Sequence, residues 1–412
     1  MGSPGPMSGY APDLTSLGFM KSRTQALKEI RNGIGKLILS CPREDDAIAI
    51  HFSESSRIAD SLYAEKTNDW SNAYVSSIGN VARSLEDAGF QYRFISYKEI
   101  EDGALTRRGV RVFFMPRSRA VSNREVEQII KFVRQGGVVF ADLLPATLTH
   151  TGAKRSKPGL TEIFPDDKPG QVTRLGKGRA VLMGEEMLRG YFRTHRSQEK
   201  KWPALEKRWE KMAELLVEHA GLKPSVRIES LEGDMPPTEI ARFDAGGIEF
   251  VGFIRSYFMS DHRAWQSRIR LPRKAHVYDV RAGKYLGFTD AIARRLDYQA
   301  ELLALSPYRV KAVDVTTPDT AVRGKPLQIE VSISSDEGAV TGKHGLRITL
   351  ADPFGEELRW YEQNLLAPHG RARTTLPLAL DESTGTYELR VKDCMSGQVG
   401  KRRFTIADGA IR

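Results

Sequence analysis

Apolar positions in the first half of the chain follow two spacings in turn, one helical and one of strands. Residues 21–40, KSRTQALKEIRNGIGKLILS, place Leu27, Ile30, Ile34, Leu37 and Ile38 on one stripe at helical spacing. The short apolar run DAIAIHF (46–52) reads as a strand and is followed by a polar loop at Ser53–Ser56. SNAYVSSIGNVARSLEDAG (71–89) reads as a helix with Gly89 as its stop signal. QYRFISY (91–97) and VRVFFMP (110–116) read as strands, the second ended by Pro116. Ser122 reads as the N-cap of the helix NREVEQIIKFVRQ, with Glu125 three residues on completing a capping box. The strand GVVFADL follows. Strand and helix alternating across short loops predict a mostly parallel sheet covered on both faces.

Beyond Leu144 the pattern changes. Residues 145–170 are loop-rich, and VTRLGKGRAVLMG (172–184) reads as a hairpin turning at Gly176-Lys177-Gly178. A helix at about 198–220 sets Trp202, Leu205, Trp209, Met212, Leu216 and Val217 along one side, and Gly221 and Pro224 end it. From Pro224 onward strand follows strand. TEIARFDAGGIEFVGFIR reads as one hairpin, and KAHVYDVRAGKYLGF as a second turning at Arg281-Ala282-Gly283. RVKAVDV, PLQIEVSIS, HGLRITLADP, ARTTLPLAL, GTYELRVKDC and KRRFTIAD are short alternating strands at regular spacing, the pattern of a β-sandwich. The predicted layout is a flexible lead-in or cloning scar at 1–20, an α/β domain at 21–223, a small β-domain at 224–308 and an Ig-like β-sandwich at 309–412.

Composition narrows the class. The chain has 412 residues, 40% hydrophobic and 28% charged, which fits two or three globular domains. No apolar run approaches the ~20 residues that span a bilayer, and the N-terminus as given shows no signal-peptide pattern. Two cysteines, Cys41 and Cys394, make neither a disulfide framework nor a metal cluster and read as buried thiols. The net charge of +10 is concentrated: Arg255 to Lys311 carries twelve Lys/Arg against five Asp/Glu, or +7. A basic surface fits phosphate backbones, an acidic partner or another domain. No helix-turn-helix, zinc-finger or RNA-binding motif accompanies it, so nucleic acid is not an expected partner.

Three chemistries make distinct demands on the residues. The first domain resembles the class I glutamine amidotransferase-like fold, whose chemistry needs a thiolate on a sharp turn after a strand, beside a histidine. In FVRQGGVVFADLL (132–144) the place after the strand holds Ala141 and Asp142, and Cys41 precedes the first strand. Asp142 is expected to cap the strand end or pair with an arginine. His51 stands at the tip of the first strand, where α/β folds bind ligands; a lone histidine without carboxylate or second-histidine spacing is more often structural. His150, His195, His219, His262, His276, His344 and His369 form no HxH or HExxH grouping, so neither metal nor cofactor is expected. GKGR (176–179) and GIGK (33–36) lack phosphate-loop spacing. For glycoside hydrolysis no carboxylate pair is marked, and the strands counted are too few for an eightfold barrel.

Four stretches resemble the C-terminal part of the family 42 β-galactosidase-like glycoside hydrolases. LKEIRNGIGKLIL (27–39) is similar to the helix leaving the catalytic barrel, and the residues from QYRFISYKEIEDGAL through VRVFFMPRSRAVSNREVEQIIKFVRQGGVVFAD resemble the trimerisation domain. GIEFVGFIR with LPRKAHVYDVRAGKYLG resembles the small β-domain that follows, and ITLADPFGEELRWYEQNLLA with LPLALDESTGTYELRVKDCMSG resembles Ig-like tails of large bacterial glycosidases. The catalytic barrel with its glutamates is not in the chain as given, so the resemblance assigns no catalytic residue. It implies a non-catalytic oligomerisation and accessory region, a homo-oligomer with a trimer favoured, and a catalytic barrel domain or subunit as partner. Any activity would belong to a larger glycoside hydrolase.

The rival expectation is a stand-alone module binding carbohydrate or another small ligand in the cleft at the strand C-terminal ends, near His51, Ser53, Ser118 and Asp142. Trp265 or Trp360 would then be sugar platforms, unless Trp360 and Tyr361 fill the sandwich core.

Overall fold

A computed structural model describes residues 20–63, 73–191, 208–233, 237–255, 264–297, 299–336 and 338–408, together with Thr15, Leu17, Gly18 and Met235. The first half is an α/β unit on one sheet. Its strands are β1 (Ile48–Phe52), β2 (Tyr92–Ser96), β3 (Val112–Met115), β4 (Val138–Ala141), β5 (Val172–Leu175) and β6 (Gly178–Leu182). They lie in the order β2-β1-β3-β4-β6-β5, all parallel except β5, which runs antiparallel to β6 as the predicted hairpin. The chain leaves β1 in one direction to β2 and returns on its other side to β3, so the order reverses at the β1/β3 boundary.

The uninterrupted apolar runs in β3 and β4 have a simple cause. Successive side chains point to opposite faces, and both faces are covered. Val112, Phe114, Val138 and Phe140 form one core with Val81 and Leu85 of α4 (Ala73–Asp87) and with Met212 and Leu216 of the chain's later helix, Arg208–Ala220. Phe113, Met115, Val139 and Ala141 form the other with Ile129, Phe132 and Val133 of the helix Asn123–Arg134. We label the helices in chain order: α1 (Met20–Glu29), α2 (Gly35–Leu39), α3 (Glu54–Tyr63), α4, α5 (Tyr97–Glu101), α6 (Ala104–Arg107), α7 (Asn123–Arg134) and α8 (Arg208–Ala220). Trp202 and Leu205, placed on the last helix by their spacing, lie outside the described residues, as do His195 and His262.

The second half is all-β. Strands β7 (Arg227–Ser230), β8 (Thr238–Asp244), β9 (Glu249–Arg255), β10 (Trp265–Asp279), β11 (Lys284–Leu296) and β12 (Glu301–Ser306) make one curled sheet around Val251, Phe253, Ile269, Val277, Leu303 and Leu305. The β10–β11 hairpin reaches further than the predicted KAHVYDVRAGKYLGF, because a register shift between Arg270 and Ala275 absorbs Pro272. The last part packs a three-stranded sheet, β13 (Val310–Thr316), β15 (Pro326–Ser335) and β18 (Arg371–Pro377), on a five-stranded one. The latter comprises β14 (Thr320–Val322), β16 (His344–Ala351), β17 (Gln363–Ala367), β19 (Gly385–Asp393) and β20 (Val399–Ala407). Leu327, Ile329 and Leu376 meet Leu346, Leu389 and Phe404 between them.

The predicted single helix over 21–40 is broken. Gly33 takes φ +110° inside one wide turn, and α2 resumes after it. The break lets Leu37 enter the sandwich core beside Leu346 and Ile348. A Cβ on Gly33 would lie 2.5 Å from Cys394 Sγ, and one on Gly345 would lie 3.0 Å from Leu37 Cβ. Both cysteines are buried thiols, Cys41 donating to Leu37 O and Cys394 to Asn32 O. The α/β unit is tied to the curled sheet by Asp46, which accepts from Arg242 at 2.5 Å, Gln91 N at 2.6 Å and Ser225 Oγ at 3.1 Å. Gly33→Ala combines a left-handed backbone with a steric clash, and should cost about 2 kcal/mol or more of stability in urea unfolding; an unchanged midpoint would show that the helix is not locked at this point.

Candidate functional site

The C-terminal ends of β1, β3, β4 and β6 deliver their following residues to one edge of the sheet, at the point where strand order reverses. That is where open α/β sheets form ligand crevices. Here it holds two layers, a closed one beneath and an open cleft above.

The closed layer contains three of the four residues singled out in the sequence. His51 and Ser118 are fully buried and Ser53 is 1% exposed. His51 Nδ1 lies 2.9 Å from Ser118 Oγ, and Nε2 lies 3.0 Å from Glu125 Oε1. In the neutral ring, an ionised Glu125 accepts the proton on Nε2, so Nδ1 accepts the Ser118 hydroxyl. Glu125 completes its capping box with its other oxygen, which accepts Ser122 N–H at 2.7 Å. Burial alone would raise the Glu125 carboxyl; the hydrogen bonds from His51 and Ser122 outweigh it and hold the group below its usual range. Ser53 is the N-cap of α3, accepting Ser56 N–H at 3.1 Å while its hydroxyl lies 3.2 Å from Ala120 O. The Ser–His–Glu order is that of a nucleophile, base and orienting acid, but Ser118 lines no described cavity and its neighbours satisfy it.

The open layer is a cleft of about 430 Å³. Its walls are the first turns of α4 (Ala73, Ser76, Ser77, Asn80), the residues after β3, β4 and β6 (Arg117, Asp142, Met183–Glu185), and Leu188–Gly190. Of the sequence-singled residues, Asp142 alone lines it. Asp142 accepts a hydrogen bond from Ser77 Oγ and one from Arg117 N–H at 2.7 Å. The expected arginine pairing of Asp142 is thus made with the Arg117 backbone, not its guanidinium. That guanidinium instead binds Asp60 Oδ1 through Nε and Nη2, at 3.1 and 2.8 Å, and ion-pairs with Glu185. Asp60 Oδ2 accepts Tyr74 N–H at 2.9 Å, joining α3 to the start of α4.

The sharp turn that amidotransferase chemistry would need after β4 is not formed there; a left-handed turn stands after β3. Arg117 has φ +41°, a left-handed backbone in a residue with a Cβ, whereas Ala141 and Asp142 have no such feature. Sequence pattern does not reveal Arg117, Asp60, Ser77 or Glu185. Pro116-Arg117-Ser118 has no glycine to announce the turn; the Ser122/Glu125 capping box is legible, but not that Glu125 faces His51. The aromatic expectations divide. Trp265 is 3% exposed on the inner face of β10, so it is no platform, while Trp360 is 70% exposed and Tyr361 is buried. Trp360 therefore does not fill the core.

A larger hollow of about 530 Å³ lies at the opposite, N-terminal ends of β4 and β6, among Gly136, Gly137, Lys177 and Arg179. It is away from the strand ends where polar groups converge, so the smaller cleft is the candidate site. Among the described residues no three His, Cys, Asp or Glu side chains gather as metal ligands, and no helix is long and apolar enough to cross a membrane.

No family model matches the chain, and no curated protein sequence matches it. Its fold is similar to that of Gan42B, a GH42 β-galactosidase, with 12% identity and a TM-score of 0.50 over 73% of this chain and 46% of that one. A catalytic mutant of Gan42B from G. stearothermophilus matches at 12% identity and TM-score 0.50, over 72% and 45% of the two chains. The β-galactosidase of Bacillus circulans sp. alkalophilus follows at 14% identity and TM-score 0.47, over 68% and 44%. The likeness is one of fold, and the chain spans a little under half the length of Gan42B.

Burial raises the Asp142 carboxyl to about 6, against the hydrogen bonds from Ser77 and Arg117. Its folded value stands above the unfolded one of about 3.9, so the protonated form contributes stability that is complete below about pH 4 and lost as pH rises through about 6. Asp142→Asn should therefore be the more stable protein at pH 8, by at most about 3 kcal/mol, and match the parent below pH 4. Parallel stability curves across that range would contradict the buried-acid assignment.

Proposed function

We propose that this chain is a non-catalytic oligomerisation and accessory region of a family 42-like β-galactosidase. The observation that carries the reading is the fold likeness to Gan42B over 73% of the chain. The strand ends fit it, because the position after β4 that would hold the nucleophile carries Ala141 and Asp142, and His51 is closed into a hydrogen-bond chain with Ser118 and Glu125. So does the outer edge of the α/β sheet. Among the described residues strand β2 pairs only with β1, and beside it Phe52, Phe94 and Tyr97 are 46%, 47% and 49% exposed. Phe52 and Phe94 meet edge to face at 6.2 Å. An open edge strand with exposed aromatic side chains is a surface that another subunit can cover. In this reading the α/β unit assembles copies, a trimer being the favoured state, and the β-sandwich is an Ig-like accessory tail beside a catalytic barrel domain or subunit. Native mass spectrometry at micromolar concentration should find a trimer, with Phe94→Glu shifting it toward monomer. A parent chain that stays strictly monomeric overturns the assembly reading.

The second reading is a small-ligand or carbohydrate module using the strand-end cleft. The observation favouring it is the convergence of Asp142, Ser77 and Asn80 on one cavity. Calorimetry against a panel of mono- and disaccharides should then show binding that Ser77→Ala and Asp142→Asn weaken about tenfold, as expected when one good hydrogen bond is removed. No heat with any sugar would remove the carbohydrate version.

A further inference from the structure

The +7 of the segment from Arg255 to Lys311 is partly gathered on one sheet surface. Three strands of the curled sheet present their outward positions in register. Glu229, Arg268 and Ala293 form one row across β7, β10 and β11, and Arg227, Arg270 and Ala291 form the next. Arg295 stands opposite Gln266 one row further. Inward positions of the same strands, Ile228, Ile269 and Ile292, pack into the core, so the arginines have no choice of face.

These charges are unequally matched. Glu229 Oε1 accepts from Arg270 Nε at 2.5 Å. The Glu229 carboxyl is held below its usual range by that hydrogen bond first, with the Arg268 and Arg227 guanidiniums adding to it. Asp290 also lies near enough to Arg270 to be felt. Glu232, the next acid along the chain, accepts the Gln266 backbone N–H. Arg227, Arg268 and Arg295 are exposed, and no ion pair among the described residues engages them.

We propose that this face binds an acidic polysaccharide, through Arg227, Arg268 and Arg295. Neighbouring strands are ~4.8 Å apart within a row and successive rows are ~7 Å apart along a strand, so Arg227, Arg268 and Arg295, each one strand and one row from the next, lie on a diagonal that anionic groups of an extended chain can follow. The small side chains of Ala291 and Ala293 leave the forks free to lie flat on sulfate or carboxylate groups. The two rows hold no aromatic side chain on which a base could stack, and the surface is a sheet rather than a groove-filling helix, which disfavours nucleic acid. A second copy of this chain is disfavoured by its own net charge of +10. This surface is separate from the strand-end cleft and from the aromatic sheet edge, so it does not depend on the oligomerisation reading.

The test uses the full chain with dextran sulfate, neutral dextran and a single-stranded oligodeoxynucleotide, titrated over a series of salt concentrations. The parent protein should bind dextran sulfate and not neutral dextran. The triple variant Arg227→Ser, Arg268→Ser, Arg295→Ser should lose about tenfold or more in affinity, and its slope of log affinity on log salt should fall by roughly three, one for each guanidinium removed. A control with equal charge loss on the sandwich, Lys311→Ser, Lys325→Ser, Arg371→Ser, should bind as the parent does. Equal weakening by both triple variants would reduce the effect to net charge and overturn the site, as would a strip variant that binds like the parent. Tighter binding of the oligonucleotide than of dextran sulfate would overturn the polysaccharide assignment.

Discussion

A parallel sheet brings its strand ends to one edge, and every polar group left there must find a partner in little water. That constraint shapes the α/β unit. Glu125 and Asp142 are two of the buried carboxyls there, and they meet it in opposite ways. Glu125 receives donors from both sides, His51 and the start of α7, and stays readily ionised. Asp142 receives Ser77 and the Arg117 amide, but burial prevails and its proton is held more tightly. An unpaired buried polar group costs about 1–3 kcal/mol, so removing any partner from either set strains the whole edge. The left-handed backbone at Arg117 is sustained by this arrangement, since its amide is fixed on Asp142 and its side chain on Asp60 and Glu185.

The same rule operates where the units join. Asp46 is half-buried, and that burial raises its carboxyl despite the Arg242 guanidinium beside it. Its three donors come from β2's approach (Gln91), from Ser225 and from β8 (Arg242), so the α/β unit and the curled sheet share one polar knot. Within the sandwich, His344 bridges Tyr308 and Asp393, at 2.9 Å to each, and Ser396 completes the carboxylate's set. A histidine between a hydroxyl and a carboxylate thus occurs twice among the described residues, both times sealed from solvent. The repetition supports a bracing role for the pattern.

Much of the fold is legible in the sequence because the local rules agree. The unalternating run Val112–Met115 requires two covered faces, and the structure supplies them. The Ser122/Glu125 capping box and the 172–184 hairpin are likewise local signals, and both form. What local pattern cannot show is which distant residues meet. His51 and Glu125 come together across 74 positions because β1 lies beside β3, a matter of strand order that local pattern does not encode. Trp265 faces inward because it stands on the core side of the alternation WQSRIRL, which β10 carries up to an irregularity between Arg270 and Ala275. Gly33 reads as a helix residue until its close approach to Cys394 is known. The candidate cleft depends on Arg117, whose turn has no glycine to mark it.

The central claim is that the Ser118–His51–Glu125 chain braces the sheet and is closed to solvent. The most direct measurement is treatment of the native protein with a fluorophosphonate serine probe, followed by peptide mass spectrometry. The account predicts that Ser118 stays unmodified until the protein is unfolded. Stoichiometric labelling of Ser118 in the native state would contradict it, and would mean that the Ser118–His51–Glu125 chain opens as a working site.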